Sequence, residues 1–258
     1  MMNTRYILGA TVAVPLLPLM YYQGQQIRAS VPVLPEATGV EGYCEVSSAR
    51  EINLLTIGES TIAGVGVKTH REGFTGTLAQ EIANQLGVNV KWKVYARSGY
   101  TAKKVTEKIL PKITESKVDI IVVGLGGNDA FRLHRPAKWR KDIEKLVSEL
   151  RLKFPETPIV FANMPPIKEF PAFTPLIKFT VGNLVEILGD ELNQAIEPLP
   201  NVYYSSEKIT LNSWIKKFQV DTEMSEFFSD GVHPSLFTYQ TWARDLANFI
   251  LKDEKIVV

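Results

Sequence analysis

The sequence predicts an α/β fold in which a parallel sheet carries helices on both faces. From Glu51 onward, short apolar runs of strand length alternate with longer amphipathic runs, an order that requires crossover connections between parallel strands. The short run 118–123 is rich in β-branched residues, as is typical of a strand buried on both faces of a parallel sheet. The chain of 258 residues is long enough for one or two domains.

The predicted elements alternate along the chain without an internal repeat or a low-complexity segment. Strands are expected over 52–57, 88–95, 118–123, 158–162 and 202–204, and helices over 72–86, 102–113, 136–154, 179–196 and 235–251. The first of these helices is expected to stop at Gly87, and Thr101 is expected to cap the second.

Composition excludes several classes of protein. Hydrophobic residues make up 45% of the chain and charged residues 22%, which are ordinary values for a globular protein. The net charge of +1 argues against a nucleic-acid partner. The single cysteine, Cys44, cannot form an internal disulfide, and His70, His134 and His233 lie too far apart for a recognisable zinc motif. Gly64 and Gly66 are not accompanied by the other residues of a phosphate-binding or dinucleotide-binding motif. From these patterns together, neither a metal nor another cofactor is expected.

An uncharged apolar run at 6–22 follows Arg5. Its 17 residues would reach about 26 Å as a helix, slightly less than the ~30 Å hydrocarbon core of a bilayer. Three interpretations are open, namely an uncleaved membrane anchor, a cleaved signal peptide and a buried core helix. We expect residues 1–28 to form a signal or anchor segment.

Two features of this segment bear on the choice. Tyr21 and Tyr22 would lie at the lipid boundary of an anchor, whereas Pro15 and Pro18 would each disrupt a water-soluble helix. With Arg5 as the inside charge, the bulk of the chain is expected outside the cytoplasm, either periplasmic or secreted.

The remaining chain divides into a short connection and one large domain. Residues 29–50 contain Pro32 and Pro35 and few long apolar runs, so we interpret them as a linker or surface strap. Residues 51–252 are expected to form the functional domain.

Small polar residues follow the predicted strands. They occupy 58–64 after the first strand, 97–100 after the second, 126–129 after the third, and 230–234 before the last helix. Ligands of open parallel sheets bind beyond the carboxyl ends of the strands. These four stretches are therefore expected to meet at one edge of the sheet.

The same four stretches resemble the conserved blocks of the GDSL, or SGNH, hydrolase superfamily. In order, they are Gly58-Glu-Ser60, with glutamate where the family usually has aspartate, then Gly99, Gly126-Gly-Asn-Asp129 and Asp230-Gly-Val-His233. The resemblance covers residues 51–251. It implies a three-layer α/β/α sandwich with a flavodoxin-like sheet, and hydrolysis of acyl or acetyl esters of lipids and sugars.

The resemblance also implies a role for each residue. Ser60 would be the nucleophile, His233 the base that activates it, and Asp230 the carboxylate that orients His233. The oxyanion hole would consist of the backbone amides of Ser60 and Gly99 and the side-chain amide of Asn128.

Each of these residues also has a purely structural interpretation. Ser60 after a strand is typical of a helix cap, and Asn128 and Asp129 are typical of turns. If these residues were purely structural, all four blocks would occur in the family's order by coincidence. The pattern therefore favours a hydrolase. Asp129 is expected to form a turn in either case, and His70 and His134 to be surface or loop residues. Glu59 is expected to brace neighbouring loops without a catalytic role.

The stretch 164–179 after the fourth strand is rich in proline and phenylalanine. It either forms a wall or lid for an acyl chain through residues such as Phe170 and Phe173, or merely packs over the sheet. The expected partner is a small-molecule, lipid or sugar ester, with membrane association through the N-terminus. The alternative functions are a carbohydrate O-acetylesterase or acyltransferase on the same site, and a catalytically silent, membrane-tethered binding domain.

Overall fold

A single six-stranded sheet organises the computed structural model, which describes residues 4–219 and 224–252. Its strands are β1 (Glu41–Cys44), β2 (Glu51–Gly58), β3 (Asn89–Ala96), β4 (Ile120–Gly124), β5 (Ile159–Phe161) and β6 (Val202–Tyr204). The strand order is β1-β3-β2-β4-β5-β6. Strands β2 to β6 are parallel and follow the flavodoxin order, whereas β1 pairs antiparallel with β3.

Helices cover both faces of this sheet. They are α1 (Thr4–Ser30), α2 (Phe74–Leu86), α3 (Ala102–Lys108), α4 (Gly127–Phe131), α5 (Pro136–Lys153), α6 (Pro175–Ile196), α7 (Leu211–Phe218) and α8 (Leu236–Leu251). Helix α2 packs against α8, and α5 packs against both α3 and α6. The predicted three-layer α/β/α architecture is confirmed.

Local chemistry explains where the helices begin and end. Gly87 ends α2 in the left-handed conformation at φ 63°, as its position predicts. The Thr101 hydroxyl caps α3 by accepting the Lys104 amide at 3.4 Å. Helix α6 begins four residues earlier than its apolar spacing predicts, because Thr174 caps it and Pro175 occupies its first turn.

Strand β1 lies inside the range 29–50, which the sequence predicts to be a linker or strap. Its Cys44 is buried, and Gly42 lies directly on the indole of Trp92. A Cβ at Gly42 would lie 2.2 Å from Trp92 Cζ2, so only glycine fits at this point of the edge strand. A four-residue strand with glycine at its second position has no alternating pattern, so the sequence does not predict it.

Helix α1 extends the predicted apolar segment to Ser30 and includes Pro15 and Pro18. By length and composition alone it could cross a membrane. Met20 is its one buried residue, so α1 is not a core helix in this structure. It nevertheless contacts α6, and side chains of the two helices interact at both ends of this contact.

The two helices run antiparallel. Near the start of α1, the Arg5 guanidinium lies 2.7 Å from Asp190 Oδ2 and 3.7 Å from Glu186 Oε2. Near its end, the Thr174 hydroxyl donates to Gln23 Oε1 at 2.6 Å. The N-terminal segment is therefore docked along the side of the domain.

His70 is buried, whereas the sequence suggests a surface or loop position. It lies in the connection between β2 and α2 but is only 4% exposed. Burial of the imidazole disfavours its charged form and lowers the pKa of His70 to about 4. The unfolded chain therefore binds a proton that the folded chain rejects, and the stability linked to His70 is lost as the pH falls from 6.5 towards 4.

Replacement of His70 by leucine should remove this pH dependence. Between pH 7 and pH 5, the wild type should lose about 2 kcal/mol of unfolding free energy relative to His70→Leu. Urea unfolding of both proteins at several pH values measures this difference. A difference between the two proteins that stays constant with pH would contradict a neutral, buried His70.

Candidate active site

A cavity of about 720 Å³ opens beyond the carboxyl ends of the strands. Ser60, Gly99, Asn128 and His233 all line it. The volume lies within the range of about 300–1,000 Å³ that is usual for small-molecule sites. The structure therefore brings the four separate sequence blocks to one cavity.

The strand order explains this convergence. Ser60 lies in the turn after β2, Gly99 in the turn after β3, and Asn128 in the first turn of α4 after β4. Because these three strands are adjacent and parallel, their carboxyl ends lie side by side. Gly99 has a φ of 78°, a conformation that glycine adopts without strain.

Asp230 and His233 form a close pair, of which His233 lines the cavity. Asp230 Oδ2 lies 2.7 Å from His233 Nδ1, and Asp230 Oδ1 accepts the backbone amides of Val232 and His233 at 2.9 and 2.6 Å. Burial raises the pKa of Asp230, but the hydrogen bonds from His233 and Val232 outweigh it and hold that pKa below its ordinary value. The carboxylate therefore fixes the imidazole through Nδ1.

Several polar groups at this cavity have no partner within the part of the chain that the structure describes. Among the described residues, the backbone amides of Ser60 and Gly99 donate to no other group, and the Ser60 hydroxyl and His233 Nε2 make no hydrogen bond. Groups of this kind are available to a bound molecule.

Glu59 holds Asn128 in place from beneath the cavity. The Glu59 side chain is buried; its Oε1 accepts the Gly127 amide at 2.8 Å and its Oε2 accepts the Asn128 amide at 2.9 Å. The side-chain amide of Asn128 also donates to Glu59 Oε2. Burial is the main reason that the pKa of Glu59 is raised to about 7. Glu59 thus braces a neighbouring loop, as expected, and that loop carries Asn128.

Asp129 has a different environment from the turn residue expected at its position. It is fully buried, its Oδ2 accepts the Ala102 amide at 3.0 Å, and its Oδ1 lies 2.7 Å from His134 Nδ1. Asp129, His134 and Asp142 have potential metal-ligand atoms within 4.8 Å of one another. All three have protein partners, since Asp142 pairs with Lys138.

Aromatic side chains form one apolar wall of the cavity. Phe170 and Phe173 both line it and are 6% and 8% exposed. Their rings contact each other at 5.3 Å between centroids, Phe173 contacts Phe131 at 5.3 Å, and Phe170 contacts Phe228 at 5.2 Å. Helix α1 contributes a further wall, which the sequence does not predict because the contact joins distant parts of the chain.

Comparison with known proteins identifies the family. The sequence model of the GDSL-like lipase/acylhydrolase family matches residues 56–241. Esterase TesA of Pseudomonas aeruginosa is 25% identical over 113 residues, which are 44% of this chain and 55% of the esterase, so the chain spans about half the length of this curated relative.

Two solved structures show the same fold. The crystal structure of TesA has a TM-score of 0.56 and 20% identity, over 78% of this chain and 98% of that one. The lipase Lip_vut3 from a goat rumen metagenome has a TM-score of 0.55 and 20% identity, over 76% of this chain and 95% of that one. Because the family model matches more than half of the sequence, the chain belongs to the GDSL-like lipase/acylhydrolase family.

Proposed function

We propose that this protein is a serine esterase that hydrolyses carboxylic esters with Ser60 as nucleophile, His233 as base and Asp230 as the orienting carboxylate. The observation that carries the proposal is the hydrogen-bonded Asp230–His233 pair at a cavity that Ser60 also lines. Serine is a weak nucleophile unless a base removes its proton, and His233 Nε2 is the ring nitrogen that does not face Asp230.

The reaction follows from these roles. Ser60 Oγ attacks the ester carbonyl carbon while His233 takes the hydroxyl proton, and the carbonyl π electrons move to oxygen. The amides of Ser60 and Gly99 and the side chain of Asn128 stabilise this oxyanion. The carbon–oxygen bond to the alcohol then breaks, and His233 returns its proton to the departing alcohol. Water attacks the acyl-enzyme with His233 again as base, and the Ser60 hydroxyl is restored with release of the carboxylic acid.

An acyl ester with an apolar chain fits the walls of the cavity. Phe170 and Phe173 offer apolar surface within the same cavity as Ser60, which is the arrangement expected of an acyl-chain wall. The matched relative is named an esterase, and one of the solved structures with the same fold is named a lipase. Both names agree with an acyl ester as the substrate.

Membrane association through α1 and an extracytoplasmic location form part of the proposal. The 22 residues between Arg5 and Arg28 carry no charge. A helix that lies along α6 cannot also span a bilayer, so the proposed association places the exposed side of α1 on the membrane surface. Tyr21 and Tyr22 are 72% and 61% exposed, as suits residues at a lipid boundary.

Covalent labelling tests the proposal directly. A fluorophosphonate probe should label the wild type at Ser60, located by mass spectrometry of the digest, and should not label Ser60→Ala. Ser98→Ala removes another serine hydroxyl of the same cavity and should still be labelled. Nitrophenyl esters from acetate to laurate and an acetylated sugar, tested in parallel, define the substrate class. A wild type that neither reacts with the probe nor hydrolyses any ester would overturn the proposal in favour of a silent binding domain.

A further inference from the structure

One face of α1 is directed at the catalytic cavity. Leu17, Met20, Gly24 and Arg28 line it and recur every three or four residues, so they lie along one side of the helix, and Val31 just after the helix lines it as well. Apart from Arg28, whose charge lies near the end of the helix, this stripe carries no charge. Part of the N-terminal segment is therefore also part of the active-site wall.

The opposite wall is apolar as well. Phe170, Phe173, and Ile177 and Val181 of α6 line the same cavity. The Arg5–Asp190 ion pair and the Thr174–Gln23 hydrogen bond hold α1 along α6. The part of the cavity between the helices is thus an apolar compartment, and it belongs to the same cavity of about 720 Å³ that Ser60 lines.

Gly24 is the gap in the α1 side of this compartment. Apart from its chain neighbours and the backbone of its own helix, no atom lies within 4 Å of the position that a Cβ would take at Gly24, although the residue lines the cavity. A glycine inside a helix usually destabilises the helix relative to alanine. Here the absent side chain leaves room between α1 and the phenylalanine wall.

We propose that α1 forms one side of an acyl-chain site and that the substrate is an ester of a long-chain fatty acid, whose chain lies between α1 and α6 and passes Gly24. This inference rests on the proposed esterase function, because the acyl carbonyl must lie at Ser60. Each methylene that is buried in an apolar compartment favours binding, so the site selects long chains over acetate.

Substitutions at Gly24 test the inference, because the chain provides a matched control in the same helix. Gly9 also has no atom within 4 Å of its Cβ position, but it does not line the cavity. Both glycines are changed in turn to alanine, leucine and tryptophan in the full chain, solubilised in one non-ionic detergent. The kcat/KM values for nitrophenyl acetate, butyrate, octanoate and laurate are then measured for each variant.

Gly24→Leu should lower the ratio of laurate to acetate kcat/KM by about tenfold or more, with a larger effect for tryptophan and a smaller one for alanine. The corresponding Gly9 variants should keep the wild-type ratio. Because each ratio is compared between proteins in the same detergent, partitioning of the esters into micelles cancels.

The outcomes separate this inference from the esterase proposal. Wild-type hydrolysis that depends on Ser60, with an unchanged chain-length ratio in all Gly24 variants, would overturn the α1 site and leave the esterase intact. Equal ratio changes at Gly9 and Gly24 would overturn it too, since they would reflect α1 as a whole. Absence of hydrolysis in the wild type would instead overturn the esterase proposal. If Gly24→Trp does not fold, the alanine and leucine variants give the same comparison.

Discussion

Replacement of Ser60 or of His233 by alanine should lower kcat for nitrophenyl butyrate by about 10⁴ to 10⁶-fold. The double variant should be no slower than the slower of the two single variants. The two side chains perform one proton transfer, so that once either is missing, the other has nothing further to contribute. Residual turnover would come from binding and from the donors of Gly99 and Asn128. Steady-state kinetics of the four proteins, with enzyme concentrations raised for the slow variants, measures these values.

The second aspartate–histidine pair provides the control. Asp129 and His134 have the same 2.7 Å separation as Asp230 and His233, but His134 does not line the cavity. His134→Gln retains a donor for Asp129 and should keep kcat within a few fold of the wild type. If His233→Ala remained within tenfold of the wild type while His134→Gln lost activity, the wrong histidine would have been assigned.

The parallel strands were predictable because each is a local pattern, whereas their flavodoxin-like order was implied by the family resemblance. The run 118–123 predicts β4, since a strand buried on both faces must be apolar throughout, and all five residues of β4 are buried. The site blocks were predictable for a related reason. Each lies directly after a strand or before a helix, so the topology alone brings Ser60, Gly99 and Asn128 to neighbouring strand ends.

Contacts between distant segments were not predictable from local patterns. The apolar run at the start of the chain predicts helix α1 but not the element against which α1 packs. Arg5 and Asp190 are far apart in sequence, and both look like ordinary surface charges. The burial of His70 likewise depends on how the connection before α2 folds. Glu59 differs from these cases, because its departure from the family's usual aspartate marks in the sequence the loop contact that the structure shows.

Glu59→Gln should lower kcat by about 10 to 100-fold with little change in KM, because Glu59 holds a donor that is needed only in the transition state. The carboxylate accepts the Gly127 amide with one oxygen and two Asn128 donors with the other. Glutamine replaces one of these oxygens by an NH₂ group, which must face an N–H donor. The loop that carries Asn128 then shifts, and the oxyanion loses part of its stabilisation.

A double-mutant cycle with Asn128→Ala distinguishes this positioning role from a general loss of stability. Asn128→Ala alone should lower kcat by about 10² to 10³-fold, the usual cost of one oxyanion-hole donor. If Glu59 acts through Asn128, adding Glu59→Gln should lower kcat little further, and Glu59→Asp should fall between glutamine and the wild type. Fully additive losses would mean that Glu59 supports the reaction by another route, and a Glu59→Asp variant with unchanged rate and stability would mean that the glutamate is incidental. The cycle therefore ties the one departure from the family pattern to the one side-chain donor of the proposed oxyanion hole.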